Sequence, residues 1–233
     1  MTSIAVVTPS RGLVHSRTIE AVMSNIAEAT AAGHLVTGWY LTHDLPIPDC
    51  AERAAELGLA SGADVIWFVE EDVIPLDHAL LAMLPFVGYP PARGLCDAIA
   101  VDYPVGATED GWGCIVKSDA GEVLWCGLGC TLFRREVFER LPRPWFRDDI
   151  QFVRRNDHWE ARPTPHAPQH RYGQHDIALS FALREAGMRI EQVPGMTASH
   201  AHLEALGAQG TNLGCHQISI RTEIRRQYPG VPA

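Results

Sequence analysis

Val65-Ile66-Trp67-Phe68-Val69 runs without a break into Glu70-Glu71-Asp72. Five consecutive β-branched and aromatic residues describe a buried parallel strand, of the kind found in sheets covered by helices on each side. The sudden change to three carboxylates places the end of that strand at a surface. In open α/β sheets, ligands bind outside the carboxyl ends of the strands. The segment therefore predicts both a fold class and the edge where chemistry belongs.

The surrounding pattern agrees. Ile4–Thr8, Leu35–Leu41 and Asp97–Tyr103 read as further strands. Between them lie three predicted helices: Arg17–Ala32, with Ile19, Val22, Met23 and Ile26 at helical spacing; Cys50–Ser61, with Asp49 as N-cap; and Leu76–Leu84, led by Pro75. Strands alternating with helices predict a largely parallel sheet. The second half differs in texture. Cys114–Lys117 and Glu122–Cys126 flank Ser118-Asp119-Ala120-Gly121 as a hairpin, and Gly127–Phe133 leads into a short helix at Arg135–Leu141. Residues 154–173 read as a long surface loop, the kind that often closes over a site. Gln174–Ala186 reads as a helix, Met188–Val193 as a strand and Gly214–Tyr228 as a helix. With no linker or repeat, the expectation is one domain over 1–233, with a nucleotide-binding half at 1–103 and an acceptor-binding half at 104–233.

Composition narrows the function classes. At 46% hydrophobic and 20% charged residues the chain is ordinary globular material, and a net charge of −9 argues mildly against a nucleic-acid backbone as main partner. No apolar run approaches the roughly 20 residues that span a bilayer, and the opening MTSIAVVTPSRG lacks a basic-then-apolar leader. The expectation is a soluble, cytoplasmic protein with no membrane partner. The cysteines at 50, 96, 114, 126, 130 and 215 form no Cys-x-x-Cys pair and read as free thiols.

Three clusters carry candidate chemistry. In extended backbone, residues i and i+2 share a face, so Glu70 and Asp72 can converge on one hard cation such as Mg²⁺ or Mn²⁺; a solvated acidic loop is the plain alternative. Thr8-Pro9-Ser10-Arg11-Gly12 follows the first strand at the same edge, and neither Gly-x-Gly-x-x-Gly nor Gly-Lys-Ser/Thr occurs. Asp44, just past the second strand, can accept hydrogen bonds from a nucleoside, and Arg53 on the following helix can pair with a phosphate. Tyr172-Gly173-Gln174-His175-Asp176 opens a helix, where Asp176 suits either the helix dipole or a general base. Ser199-His200-Ala201-His202 follows a strand and offers imidazole, acceptable to Mn²⁺.

Taken in chain order, these segments resemble a small nucleotide-sugar glycosyltransferase of the GT-A type, over residues 4 to about 202. The most specific parts of the resemblance are Val69-Glu70-Glu71-Asp72-Val73, similar to that family's Asp-x-Asp strand end, and Gly129 to Phe138 with Pro144-Trp145-Phe146. The resemblance implies an α/β GT-A-like, Rossmann-type three-layer sandwich with a mostly parallel central sheet. It implies transfer of a sugar from a nucleoside-diphosphate donor to an acceptor hydroxyl, with inversion. Glu70, Asp72 and His200 would hold Mn²⁺ or Mg²⁺, and Asp176 would be the base. Thr8, Pro9, Ser10, Arg11, Asp44, Arg53 and Glu71 would line the donor site, and Trp112, Trp145 and Trp159 would face the acceptor, be it a small molecule, a protein or modified DNA. Two positions depart from the family pattern: Glu70 stands where Asp is usual, and His175 stands where the Glu of a Glu-Asp pair is usual. A nucleotidyltransferase and a non-catalytic nucleotide-sugar or glycan-binding module are the alternatives; the first normally has a Gly-rich basic loop that this chain lacks.

Overall fold

The structure is a computed structural model that describes residues 1–87, 96–105, 112–155, 158–163, 174–205 and 216–221. Strand β1 (Ser3–Thr8) leads through α1 (Ser16–Ala31) to β2 (Leu35–Leu41), and α2 (Asp49–Ala60) leads to β3 (Val65–Val69). The two-residue β4 (Val73–Ile74) precedes α3 (Ala79–Val87) and β5 (Ala98–Asp102). Two short ladders follow, β6 (Pro104–Val105) with β7 (Trp112–Gly113) and β8 (Val116–Lys117) with β9 (Val123–Trp125). Next come β10 (Cys130–Arg134), α4 (Arg135–Arg140), β11 (Ile150–Arg155), β12 (His158–Pro163), α5 (Gln174–Glu185), β13 (Ile190–Thr197), β14 (Ser199–Ala205) and β15 (His216–Arg221).

Six strands form the central sheet in the order β13-β5-β10-β3-β1-β2. β1 is parallel to β2 and β3, and β13 is parallel to β5, whereas β10 is antiparallel to both β3 and β5. The sheet is therefore mixed and mostly parallel. The β1–α1–β2 and β2–α2–β3 crossovers travel in opposite directions across it, so right-handed connections place α1 and α2 on opposite faces. α1 packs with α3 on one face and α2 with α4 on the other, which makes three layers.

β3 is the middle of the core. All five of its residues are fully buried. Phe68 meets Phe133, Phe138 and Phe146 at ring separations of 5.5–5.9 Å, the Phe133 contact being edge-to-face. Aromatic pairs in this range add about 0.5–1.5 kcal/mol each beyond area burial.

Several elements depart from the sequence expectation for visible reasons. The buried side of α1 is Thr18, Val22, Asn25 and Ala29, while Ile19 and Met23 are exposed. Asn25 faces inward because its Oδ1 accepts the Leu80 N–H at 2.9 Å, and Glu28 accepts the His78 N–H at 2.9 Å. These α1 side chains thus satisfy amides at the start of α3. α3 begins at Ala79 rather than Leu76 because His78 sits at φ +63°, outside helical backbone. Asp49 is the first helical residue of α2, and Pro48 occupies the cap without a side-chain bond. Residues 154–163, expected as loop, belong largely to the antiparallel β11–β12 hairpin, and 164–173 lie outside the described residues. The helix expected over 214–228 is replaced, where described, by β15, in which Ile218 and Ile220 alternate and pair with β14. Period two overrides helix propensity there. Cys50, Cys96, Cys114, Cys126 and Cys130 are free and buried, and Cys215 lies outside the described residues. No helix among the described residues is long and apolar enough to cross a membrane.

Phe68→Ala removes the ring shared by three aromatic contacts. It should lower unfolding free energy by about 3–5 kcal/mol in urea titrations.

Candidate functional site at the carboxyl edge of the sheet

The parallel strands all release their chains at one edge, and β10 enters the sheet there. At the end of β3 the chain turns sharply. The Glu70 N–H donates to the Gly129 carbonyl at 3.2 Å, and the Val73 N–H returns to the Glu70 carbonyl at 3.2 Å. The chain then pairs as β4 with β14, His200 opposite Val73, and the Ala201 N–H donates to the Asp72 carbonyl at 2.8 Å. This tight turn sends the three carboxylates to three different partners.

Glu70 points to Tyr103, whose Oη lies 3.3 Å from Oε2. Burial, followed by the neighbouring Asp72 charge, pushes Glu70 up to about 7, with His200 and the Tyr103 hydroxyl opposing. Glu71 clamps Arg11: its Oε2 accepts the Arg11 N–H at 2.9 Å, and its Oε1 accepts Nε and Nη2 at 2.8 and 2.6 Å. Asp72 Oδ2 faces His200 Nε2 at 3.3 Å, while His200 Nδ1 lies 2.8 Å from the Pro104 carbonyl oxygen. A ring nitrogen meets a carbonyl favourably only as a donor, so Nδ1 carries the proton. In a neutral ring, Nε2 then presents a lone pair to a carboxylate lone pair. That contact is repulsive unless a proton or a cation lies between them. Burial disfavours charge on His200, but the Asp72 carboxylate and the Pro104 carbonyl outweigh it and raise its pKa above the ordinary value.

Among the described residues, no three His, Cys, Asp or Glu side chains close around one point as a ready metal cage. The Asp72–His200 pair nevertheless fits two neighbouring positions around a divalent ion, whose adjacent ligands at roughly 2.1 Å are about 3 Å apart. An imidazole oriented through its other nitrogen by a carbonyl is the usual arrangement of a ligating histidine. Glu70 adds negative charge beside the pair but is hydrogen-bonded towards Tyr103 rather than turned onto the same point.

The residues expected at the donor side divide into frame and surface. Thr8, Pro9 and Ser10 are buried. Thr8 Oγ1 accepts Trp39 Nε1–H at 2.9 Å, and the Ser10 N–H donates to Thr42 Oγ1 at 2.8 Å, so these groups shape the loop. Arg11 and Asp44 are exposed. Gly12, at φ +134°, brings the first loop beside the Asp44 carboxylate, since a Cβ there would stand 3.4 Å from Oδ1. Arg53 is exposed on α2 and pairs with Glu56 at 2.8 Å.

On the other side, Asp176 opens α5 with its Oδ1 accepting the Ile177 N–H at 2.7 Å. Burial, and then the charge of Glu70, hold its carboxyl well above the usual range. His175 is turned into the protein, with 5% of its surface exposed and its ring 6.2 Å from Phe146. Burial lowers its pKa to about 4, and its Nδ1 has no partner. Trp145, expected as an acceptor platform, is a core residue instead. It is buried against Phe138 at 5.3 Å, beneath Arg143 at 4.8 Å, and donates Nε1–H to the Leu141 carbonyl at 3.1 Å. Trp112 and Trp159 lie on β7 and β12, and their side chains fall outside the described residues.

Two residues at the site were missed in the sequence. Tyr103 follows β5 at the same edge, and the rule that singled out Glu70 applied to it equally. Glu52 accepts the Trp145 and Phe146 N–H groups at 2.9 and 3.1 Å and anchors that segment to α2, a contact with no sequence signal.

No family model matches the chain, and no curated protein matches it. Among solved structures, it is similar to the A197 protein from STIV, at 17% identity and a TM-score of 0.55, over 99% of this chain and 100% of that one. It is also similar to a mutant Drosophila beta-1,4-galactosyltransferase 7 solved with manganese, UDP-Gal and xylobiose, at 14% identity and a TM-score of 0.50, over 87% of this chain and 71% of that one. The fold is GT-A-like.

His175 yields a pH test. An unfolded imidazole titrates near 6.5, so between that pH and about 4 the unfolded chain binds the proton and the folded chain does not. The stability contributed by the neutral ring is complete above about 6.5 and is lost as pH falls, by about 3 kcal/mol between pH 7 and 4. Urea unfolding across this range should show a shallower slope in His175→Gln.

Proposed function

We propose that the chain is a metal-dependent glycosyltransferase that moves a sugar from a nucleoside-diphosphate donor to an acceptor hydroxyl with inversion. One observation carries this reading: Asp72 Oδ2 and His200 Nε2 face each other at 3.3 Å at the carboxyl edge of a GT-A-like sheet. A proton on Nε2 or a divalent cation satisfies that contact, and the proposal takes the cation as the occupant in the donor complex. Asp72 and His200 would hold Mn²⁺ or Mg²⁺, with Glu70 adding negative charge beside them. When bound, the ion supplies Lewis-acid neutralisation of the departing nucleoside diphosphate.

The remaining work falls to the chain's own groups. Arg11, held by Glu71, and Asp44 border the donor side, where Gly12 keeps their loops in contact. Their chemistry suits a phosphate-bearing nucleoside, Arg11 through its guanidinium and Asp44 as an acceptor for ribose or base. Asp176 takes the proton of the acceptor hydroxyl as that oxygen bonds to the anomeric carbon and the nucleoside diphosphate leaves. The Ile177 N–H fixes one carboxylate oxygen and so orients the other. The solved galactosyltransferase that shares the fold was crystallised with manganese and UDP-Gal, which supports the same donor class here.

The test is turnover of labelled nucleotide sugars with and without Mn²⁺. Asp72→Ala should abolish Mn²⁺-dependent binding of UDP or GDP in a folded protein, because the side chain lies outside the buried run of β3. Unchanged binding would remove the metal assignment. Asp176→Asn should keep donor binding and lower transfer roughly 10²–10⁴-fold. Full activity in that variant, with only the small stability change of a lost helix-start charge, would remove Asp176 from the mechanism. Donor binding without any transfer by the wild type would favour a nucleotide-sugar-binding module.

A further inference from the structure

Tyr103 has no part in the reaction as proposed, yet it touches both Glu70 and His200. Its hydroxyl accepts the Gly129 N–H at 3.0 Å and lies 3.3 Å from Glu70 Oε2, to which it donates. Its ring stands edge-on to His200, with centroids 5.5 Å apart at 73°. The side chain is buried, with 3% of its surface exposed.

The glycines around it explain how it is held. A Cβ on Gly127 would fall 2.3 Å from the Tyr103 oxygen, and one on Gly129 would fall 2.7 Å from it and 2.5 Å from Val73 Cγ2. Gly127-Leu128-Gly129 therefore forms a slot that admits the phenol only because two side chains are missing. The backbone of the Tyr103 segment is fixed as firmly. Asp102 Oδ1 accepts the Tyr103 and Ile115 N–H groups at 3.1 and 3.2 Å, and the Cys114 N–H donates to the Tyr103 carbonyl at 2.9 Å. The next residue, Pro104, supplies the carbonyl that receives His200 Nδ1–H. Two adjacent residues at the end of β5 thus orient both Glu70 and His200.

We propose that Tyr103 is the positioning residue of the acid site: wedged in the Gly127–Gly129 slot, it aims the Glu70 carboxylate with its hydroxyl and seats His200 against its ring edge, and through them it sets affinity for the divalent ion and nucleoside diphosphate. This inference rests on the proposed function. Partners that orient ligating groups typically change metal affinity 10–100-fold when removed; Glu70 stands beside the Asp72–His200 pair as a charge rather than a ligand, so releasing it falls at the lower end of that range.

Tyr103→Phe keeps the ring against His200 and removes only the hydroxyl. Free Mn²⁺ is counted by electron paramagnetic resonance during titration of the full chain with Mn²⁺ and UDP or GDP. The expected result is affinity about 10-fold below wild type in a protein that still unfolds cooperatively. Asn25→Ala, which breaks a buried hydrogen bond between α1 and α3, serves as a destabilised control and should keep wild-type Mn²⁺ affinity. Equal affinity in Tyr103→Phe and wild type, with clear binding by wild type, would overturn the inference and leave the proposed function standing. A drop of the same size in Asn25→Ala would also overturn it, because general loosening would then explain the effect. No Mn²⁺ binding by wild type would overturn both readings. A double-mutant cycle tests the slot itself: Gly127→Ala should destabilise wild type more than Tyr103→Phe, which lacks the oxygen that the new methyl would strike. Equal destabilisation in the two backgrounds would overturn the wedge.

Discussion

β3 is sealed from water up to Val69, and its next residue is a carboxylate. Everything at the ligand edge follows from that junction. A charged group beside a closed apolar core needs partners, because burying it alone costs several kcal/mol. Here the partners come from the ends of other strands. The loop after β1 sends Arg11 to Glu71, the end of β5 sends Tyr103 to Glu70, and β14 sends His200 to Asp72. Closing the sheet and assembling the site are one event, since each acid is satisfied only when its neighbouring strand is in place.

Pairing stops short of neutrality. Arg11 answers Glu71 with a full charge, but Glu70 has a phenol and Asp72 an imidazole. Asp176 adds a fourth carboxyl within the field of Glu70. The elevated pKa values of Glu70 and Asp176 come first from burial and then from a neighbouring carboxyl, Asp72 for Glu70 and Glu70 for Asp176. A cation that displaced protons here would favour the ionised forms of these carboxyls, which is the physical link between the acid cluster and the divalent ion in the proposed donor complex.

Much of this edge was legible in the sequence. The apolar run into Glu70-Glu71-Asp72 marks the strand end and its polarity without any other information, and the alternation of elements over 1–103 places Thr8 to Gly12 and Asp44 along the same edge. Other features were hidden because they depend on distant partners. Ile19 and Met23 match a buried helix stripe as well as Val22 does, yet Asn25 takes the inner position to cap α3. Trp145 looks like a platform beside Pro144, but Glu52 on α2 binds its backbone and draws the ring into the core. His175 sits where an acid was expected and turns inward onto Phe146.

The sequence alone determined the α/β architecture with its mostly parallel sheet, the buried central strand and the acids at its end, because hydrophobic periodicity and local charge act over a few residues. Only the tertiary structure decided which acid meets which partner. Tyr103, His200 and Arg11 come from positions separated from their acids by 33, 128 and 60 residues, and contact across such distances is set by sheet order and register. The insertion of β10 between β3 and β5 brings Gly127 and Gly129 against Tyr103. In the sequence they only open the segment that leads into a strand. Their meaning comes from the phenol that fills the space where their side chains would be.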